Sequence, residues 1–233
     1  GRVFLVEASA VIRRAEEAVQ TLKAVAAGQG GEIHVGYAPS LTVEILPRGL
    51  RAFQESHPAV RVRLHDLSTE AMLRGLRDGS LHVALLIRPS TPALRDLRFE
   101  ELRRYAVCVA VHPAHPLAQI RRPGLKDVAQ ERLIGYTLAE YPEYHAWLDS
   151  LFAGSPNPPR VTEEHDGATS LIAAVEAGRG VALVQQGFEC LAGPRLVLRR
   201  ITPPPEPFVV GVAYRPNRPS PAAKGFVAAV RQS

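Results

Sequence analysis

Short polar turns in this chain carry groups that could hold an anion. Pro39, Ser40, Leu41 and Thr42 follow an alternating apolar stretch and open a helical one. Their hydroxyls and free backbone N–H groups favour a carboxylate through hydrogen bonds and the helix dipole, although plain N-capping uses the same residue types. Ser68 and Thr69 repeat this arrangement after the next apolar stretch. Arg88 stands directly after a run of apolar residues and before Pro89, Ser90 and Thr91. It could clamp a carboxylate bidentately or serve as an ordinary surface cation. Tyr136, Pro142 and Tyr144 offer aromatic and apolar walls that suit a ring-bearing or chain-bearing acid, and equally an ordinary core. In the turn Asp166, Gly167, Ala168, Thr169, a glycine could admit a ligand to a backbone N–H.

Other reactive residue types are explained without chemistry. Glu163, Glu164, His165 and Asp166 have the residue types of metal ligands, but successive side chains of a strand point to opposite faces. His112 and His115 belong to a Pro-rich turn, with no thiolate or third ligand at zinc spacing. Cys108 lies inside the apolar run Val107 to Val111 and reads as core filling, although a redox pair with Cys190 is conceivable. No nucleophile–base pair, glycine-rich phosphate loop or metal cluster is present, so neither an enzyme nor a metal or cofactor is expected.

The elements that must position these residues alternate along the chain. Ile33, Val35 and Tyr37 alternate as a strand, and Ile45, Leu46, Leu50 and Phe53 give a helix that stops before Pro58. Val60, Val62 and Leu64 form a second strand, a helix through Met72, Leu73 and Leu76 ends at Gly79, and His82 to Ile87 reads as a strand buried on both faces. This rhythm predicts an α/β fold with a parallel sheet. The middle repeats it: strands at 105–111, 133–136, 160–165 and 181–184, helices at 142–152 and 169–177. After Pro203, Pro204, Pro205 and Pro207 come a strand at 208–214 and a final helix at 219–230.

Ahead of all this, Phe4, Ala8, Val11, Ala15, Ala18, Leu22 and Val25 alternate spacings of four and three, a heptad seam expected to lie against another helix. Gly28, Gly30 and Gly31 then detach this arm from the globular body. The 233 residues leave about 200 beyond the arm, enough for one large domain or two small ones. The net charge of +5 invites a nucleic-acid reading, but the arginines are scattered, with no recognition-helix, zinc-finger or RNP-like pattern among them. Neither a membrane span nor a secretory signal is present, so cytoplasm is the expected compartment, and Gly1 in place of Met is expected of a chain cut from a longer one.

Several short motifs in this order resemble the effector-binding part of LysR-type transcriptional regulators across nearly the whole chain. They are Gly36-Tyr37, Pro39-Ser40-Leu41-Thr42, Leu46-Pro47, Phe53 through His57-Pro58, and Leu76-Arg77-Asp78-Gly79. The most specific are His112-Pro113 with His115-Pro116-Leu117-Ala118, and the run from Val175-Glu176-Ala177-Gly178 to Val184. Departures are His82, where Asp is common, and Gln185, where Pro usually follows the last buried strand. The resemblance implies a periplasmic-binding-protein-like clamshell of two α/β subdomains, 32–104 with 207–233 and 105–206, joined by two crossover strands and preceded by a linker helix at 2–28. It also places the turn holding Ser40, Leu41 and Thr42 at an inducer site between the subdomains, where a small organic acid is expected to meet the candidates read from residue type, Ser68, Thr69, Arg88, Tyr136, Pro142, Tyr144, Gly167 and Thr169. It implies a homodimer or homotetramer, DNA contacted by a winged helix-turn-helix absent from this chain, RNA polymerase as a further partner, and no membrane. A transporter's solute-binding protein is the competing expectation. It has a similar fold but no coiled-coil arm.

Overall fold

A computed structural model describes residues 8–9, 11–19, 31–155, 158–217 and 219–232. Residues 8–9 and 11–19 are helical and constitute α1, so the remainder of the expected 2–28 helix lies outside the described residues. There follow β1 (Glu32–Tyr37), the four-residue α2 (Pro39–Thr42), α3 (Ile45–Ser56), β2 (Arg61–Asp66), α4 (Thr69–Asp78), β3 (Val83–Ile87), β4 (Arg98–Tyr105) and β5 (Val107–Val111). Next come α5 (Pro116–Gln119), α6 (Leu125–Val128), β6 (Leu133–Tyr136), α7 (Pro142–Leu151), β7 (Val161–His165) and α8 (Ala168–Glu176). The chain then runs through β8 (Ala182–Gln185), α9 (Glu189–Ala192), β9 (Val197–Arg200), β10 (Phe208–Tyr214) and α10 (Pro221–Arg231).

Two compact units divide these elements. One takes the chain up to Ala38, Glu44–Leu102 and the chain from Gly211 onward; the other takes Pro39–Val43 and Arg103–Val210. Residues 39–43 therefore group with the second unit, although the strand before them and the helix after them belong to the first.

The first unit is built on a five-stranded sheet in the order β2-β1-β3-β10-β4. β1 pairs in parallel with β2, from Glu32 opposite Arg61 to Tyr37 opposite Asp66, and in parallel with β3. Ile33, Val35 and all five residues of β3 are buried, as expected of a strand covered on both faces. α3 buries Ile45, Leu46 and Phe53. Its Phe53 meets Phe226 of α10 edge-on at 5.4 Å and stacks on His57 at 4.7 Å. Gly49 allows the two helices this approach, because a Cβ there would come within 2.5 Å of Val230 Cγ1. α4 begins where Ser68 Oγ accepts the Ala71 N–H, and it ends at Gly79, whose φ of 82° is the left-handed stop that favours glycine.

In the second unit β5 is the middle strand of β8-β5-β9, antiparallel to both neighbours. The middle, expected to repeat the first unit's architecture with changes, keeps parallel pairing between β6 and β7 and at the Leu133–Val181 bridge. Here β5 lies wholly buried, and Cys108, Ala110, Ile134, Leu171, Val175, Val184 and Phe188 form the core. The strand expected at 105–111 is two strands, interrupted at Ala106, whose carbonyl accepts the Gln186 N–H at 2.8 Å. β4 and β9 were not anticipated. His112 Nδ1 accepts from Ala114 N–H and His115 Nδ1 from Leu117 N–H, so both rings close the turn into α5.

Burial pushes the Cys108 thiol up to about 11, with Glu189 adding to the effect and Arg200 opposing it, whereas Cys190 is exposed. Thiolate is the reactive form, so iodoacetamide at neutral pH is expected to modify Cys190 and to spare Cys108 until the chain unfolds. Peptide mass mapping of the native protein checks this; equal labelling of both would mean that β5 opens in the native state.

Candidate functional site

The carboxyl end of β6 brings Tyr136 and Thr137 beside the aromatic start of α7. The Tyr136 ring is half-buried, 4.8 Å from the Tyr141 ring and 5.2 Å, edge-on, from Tyr144. Tyr144 is buried and its hydroxyl donates to the Leu183 carbonyl at 3.2 Å, which fixes α7 against β8. His145 Nε2 donates to the Tyr136 carbonyl at 2.6 Å, and the Tyr141 hydroxyl donates to the Asp166 carbonyl at 3.0 Å. Burial holds the Tyr136 and Tyr144 phenols well above their ordinary range, so both remain neutral donors near neutral pH.

Two side chains fasten α2 to this wall. The Tyr136 hydroxyl is hydrogen-bonded to the Ser40 side chain, and Gln185 Nε2, at the end of β8, donates to the Ser40 carbonyl. Gln185 and Thr42 are among the buried polar residues of the chain. These bonds explain why residues 39–43 group with the second unit.

Thr137 supplies the unfinished part. Its N–H donates to the His165 carbonyl at 3.0 Å and its carbonyl accepts from Tyr141 N–H at 3.0 Å, yet its Oγ1 is buried with no hydrogen-bond partner. A buried hydroxyl left unpaired costs about 1–3 kcal/mol, so a ligand atom that meets it recovers that cost.

The expected site residues fall into two groups. Ser40, Thr42, Tyr136 and Tyr144 come together in the second unit, with Leu41 half-buried between the two α2 hydroxyl residues. Pro142 is exposed at the first position of α7, where its missing N–H costs nothing. Gly167 precedes α8 with a φ of −168°, an extended backbone open to any residue, and no neighbour lies within 4 Å of its absent Cβ. Thr169 is exposed; it is Ser170 whose hydroxyl reaches Asp166 Oδ1 and the Gly167 carbonyl.

In the first unit, β1, β2 and β3 run parallel, so the segments that follow them leave one edge of the sheet. Ser68 there is the cap of α4, and Thr69 behind it is buried. Arg88 is an exposed but paired cation: its Nη2 lies 3.0 Å from Glu101 Oε2 and its guanidinium stands 5.2 Å from the Phe99 ring centroid. Thr137 and Gln185, which lie beside Ser40 and Tyr136 in the second unit, are not among the residues expected from the sequence, although Gln185 stands out there as a departure from the family pattern.

Glu163 is paired with Arg179 at 2.8 Å, and Glu164 lies 3.8 Å from His145, on the opposite strand face. Among the described residues no group of three or more His, Cys, Asp or Glu side chains could hold a metal ion, and no helix is long and apolar enough to cross a membrane.

Comparison with known proteins adds to this geometry. The profile of the LysR substrate binding domain matches residues 26–233. The regulator BenM of Acinetobacter baylyi is 26% identical over 187 residues, 79% of this chain and 60% of BenM. The regulator TcbR of a Pseudomonas species is 24% identical over the whole chain and 79% of its own length. In structure, CbnR, a LysR family transcriptional regulator, superposes with a TM-score of 0.79 at 24% identity, covering 100% of this chain and 80% of its own. The effector binding domain of QuiR in complex with shikimate gives 0.78 at 21% identity, covering 88% and 97%. The BenM effector binding domain with its effector benzoate gives 0.70 at 23%, covering 86% and 90%. At these identities the structural likenesses establish the fold.

Proposed function

Because the chain belongs to the family of the LysR substrate binding domain, we propose that it is the effector-sensing part of a LysR-type transcriptional regulator. In this reading a small organic acid is received beside Ser40, Tyr136 and Thr137 and leaves unchanged. The observation that carries the site is the buried, unpaired Thr137 hydroxyl next to the Tyr136–Ser40 bond, on a wall of tyrosine rings. Benzoate and shikimate, named with the BenM and QuiR domains, are both carboxylates on a six-membered ring, a shape suited to such a wall. Ser68, Thr69 and Arg88 remain candidate anion contacts of the first unit by itself, with Arg88 engaging a carboxylate only by giving up Glu101.

The output lies outside the chain. DNA is contacted by a separate domain, in the cytoplasm, and the regulator acts as a homo-oligomer without a catalytic step. α1 supports the oligomer reading, because its seam residues Val11, Ala15 and Ala18 are exposed and Val11 is 68% accessible. A solute-binding protein has no need of such a helix, and the relatives BenM and TcbR are regulators.

A thermal-shift panel of benzoate, shikimate and short-chain carboxylates tests this. A ligand at one hundred times its Kd stabilises the folded chain by about 2.7 kcal/mol, so a binder raises the melting temperature in step with the logarithm of its concentration. Absence of a shift for every carboxylate at millimolar concentration would remove organic acids as the effector class.

A further inference from the structure

Three imidazoles in the first unit form one hydrogen-bonded row. His34 Nε2 meets Glu32 Oε1 at 2.9 Å, His34 Nδ1 meets His65 Nε2 at 3.1 Å, and the His34 backbone N–H donates to His82 Nδ1 at 3.0 Å. The His34 ring stacks on that of His65 at 5.1 Å and lies 5.7 Å from that of His82. These contacts fix where the protons are. The Glu32 carboxylate only accepts, so His34 carries its proton on Nε2, and its Nδ1 accepts from His65 Nε2–H. His82 Nδ1 accepts a backbone N–H, so its proton is on Nε2. A proton added to either Nδ1 would turn an acceptor toward a donor and break the row.

The charges around the row are uneven. Among the described residues the anion in contact with the row is Glu32, which is shared with Arg63 at 2.9 Å and Arg61 at 3.9 Å. At the end of α4 stand more cations. Arg215 Nη1 donates to the Arg77 carbonyl at 3.0 Å, and Arg13 of α1 lies 3.7 Å from Asp78. Arg215 Nη2 and Arg14 Nη1 of α1 stand 3.2 and 4.0 Å from where a Cβ on Gly79 would sit, so both guanidinium groups gather at the end of α4, three residues before His82. Burial first, then His34, Arg14 and Arg215, hold the His82 imidazole below its ordinary range, and burial, His34 and Arg63 do the same for His65. Among the described residues of α1, Arg13 Nε is buried without a hydrogen-bond partner, and Val11, Ile12 and Val19 are exposed.

We propose that the His34–His65–His82 row is an acid-sensitive catch on α1, in which a proton on His82 adds a cation beside Arg14 and Arg215 and releases α1 from the end of α4. The sign comes from linkage. Docked α1 keeps the Arg14 charge near His82, so the docked state binds fewer protons than the released one. His82 stays beside His34 and Arg215 when α1 leaves, so only the Arg14 contribution is linked to docking: α1 is held more firmly above the ordinary imidazole value of about 6.5 and less firmly as the pH falls through the lowered range of His82. The catch rests on side chains of this chain alone and stands whether or not the effector reading holds. Because α1 carries the exposed seam, its release would make subunit pairing depend on pH.

The test is a nuclear magnetic resonance titration of the ¹⁵N,¹³C-labelled 233-residue chain from pH 7.5 to 5.0, following the amides of residues 11–19 and the rings of His34, His65 and His82. The α1 amides are expected to move with the His82 midpoint, below about 6.5, and to lose that transition in His82→Gln. Exposed Arg14, replaced in Arg14→Gln, leaves the core untouched and is expected to raise the His82 midpoint. Stationary α1 signals while His82 titrates, an identical transition in His82→Gln, or an unmoved midpoint in Arg14→Gln would each overturn the proposal.

Discussion

Replacing Gln185 by Leu is expected to weaken carboxylate binding by roughly 10- to 100-fold while leaving the fold intact. The Gln185 side chain is buried and its amide donates to the Ser40 carbonyl, a side-chain bond that holds α2 within the second unit. Leu fills a similar volume but gives that carbonyl no donor. The loss of one such buried partner costs about 1–3 kcal/mol, and every 1.4 kcal/mol that falls on the bound state is tenfold in Kd. Titration calorimetry with the carboxylate that gives the largest thermal shift measures it. Gln185→Glu separates donation from shape: only the protonated acid can donate to Ser40, so its affinity should fall as the pH rises. An affinity unchanged in both variants would place the ligand away from α2.

Phe53→Ala is expected to cost the first unit about 3–5 kcal/mol, the usual range for deleting a fully buried phenyl. Phe53 has no exposed surface and lies between His57 and Phe226, where α3 and α10 close on the Gly49 face. For a chain of this length the cost corresponds to a melting point lower by about 6–20 °C, read by differential scanning calorimetry. A loss below about 1 kcal/mol would mean that the α3–α10 contact collapses around the gap and is not the rigid part of this core.

The elements of the first unit were legible where one local signal decided them. Alternation at Ile33, Val35 and Tyr37 gave β1, and Gly79, at a φ of 82°, marked the end of α4. β4 was not legible. Its Arg98–Tyr105 segment is charged and partly exposed along both faces, because it is the edge of the sheet and pairs on one side only. The antiparallel pairing of β5 also escaped, since an apolar run buried on both faces reads the same in either direction.

The site was legible to the extent that residue type suggests role. Tyr136, Tyr144 and Ser40 could be chosen as wall and anion contacts, but the bond between Tyr136 and Ser40 joins residues far apart in sequence that no spacing rule connects. The sequence leaves Arg88 open between a carboxylate clamp and a surface cation because Glu101, its partner, comes from β4, a strand with no pattern to announce it. Thr137 is an ordinary residue after a short strand until its hydroxyl is found buried and unpaired. Ser68 and Pro142 did what their types do in most proteins, which is to start helices.

The most direct measurement of the central claim is chemical-shift mapping of the ¹⁵N-labelled chain during titration with benzoate, shikimate and the short-chain acids. The effector reading predicts a saturable response whose largest changes fall on Ser40, Thr137 and Gln185. Changes confined to another place, such as the shallow groove lined by Leu50, Gln54 and Val60, or no response to any carboxylate, would contradict it.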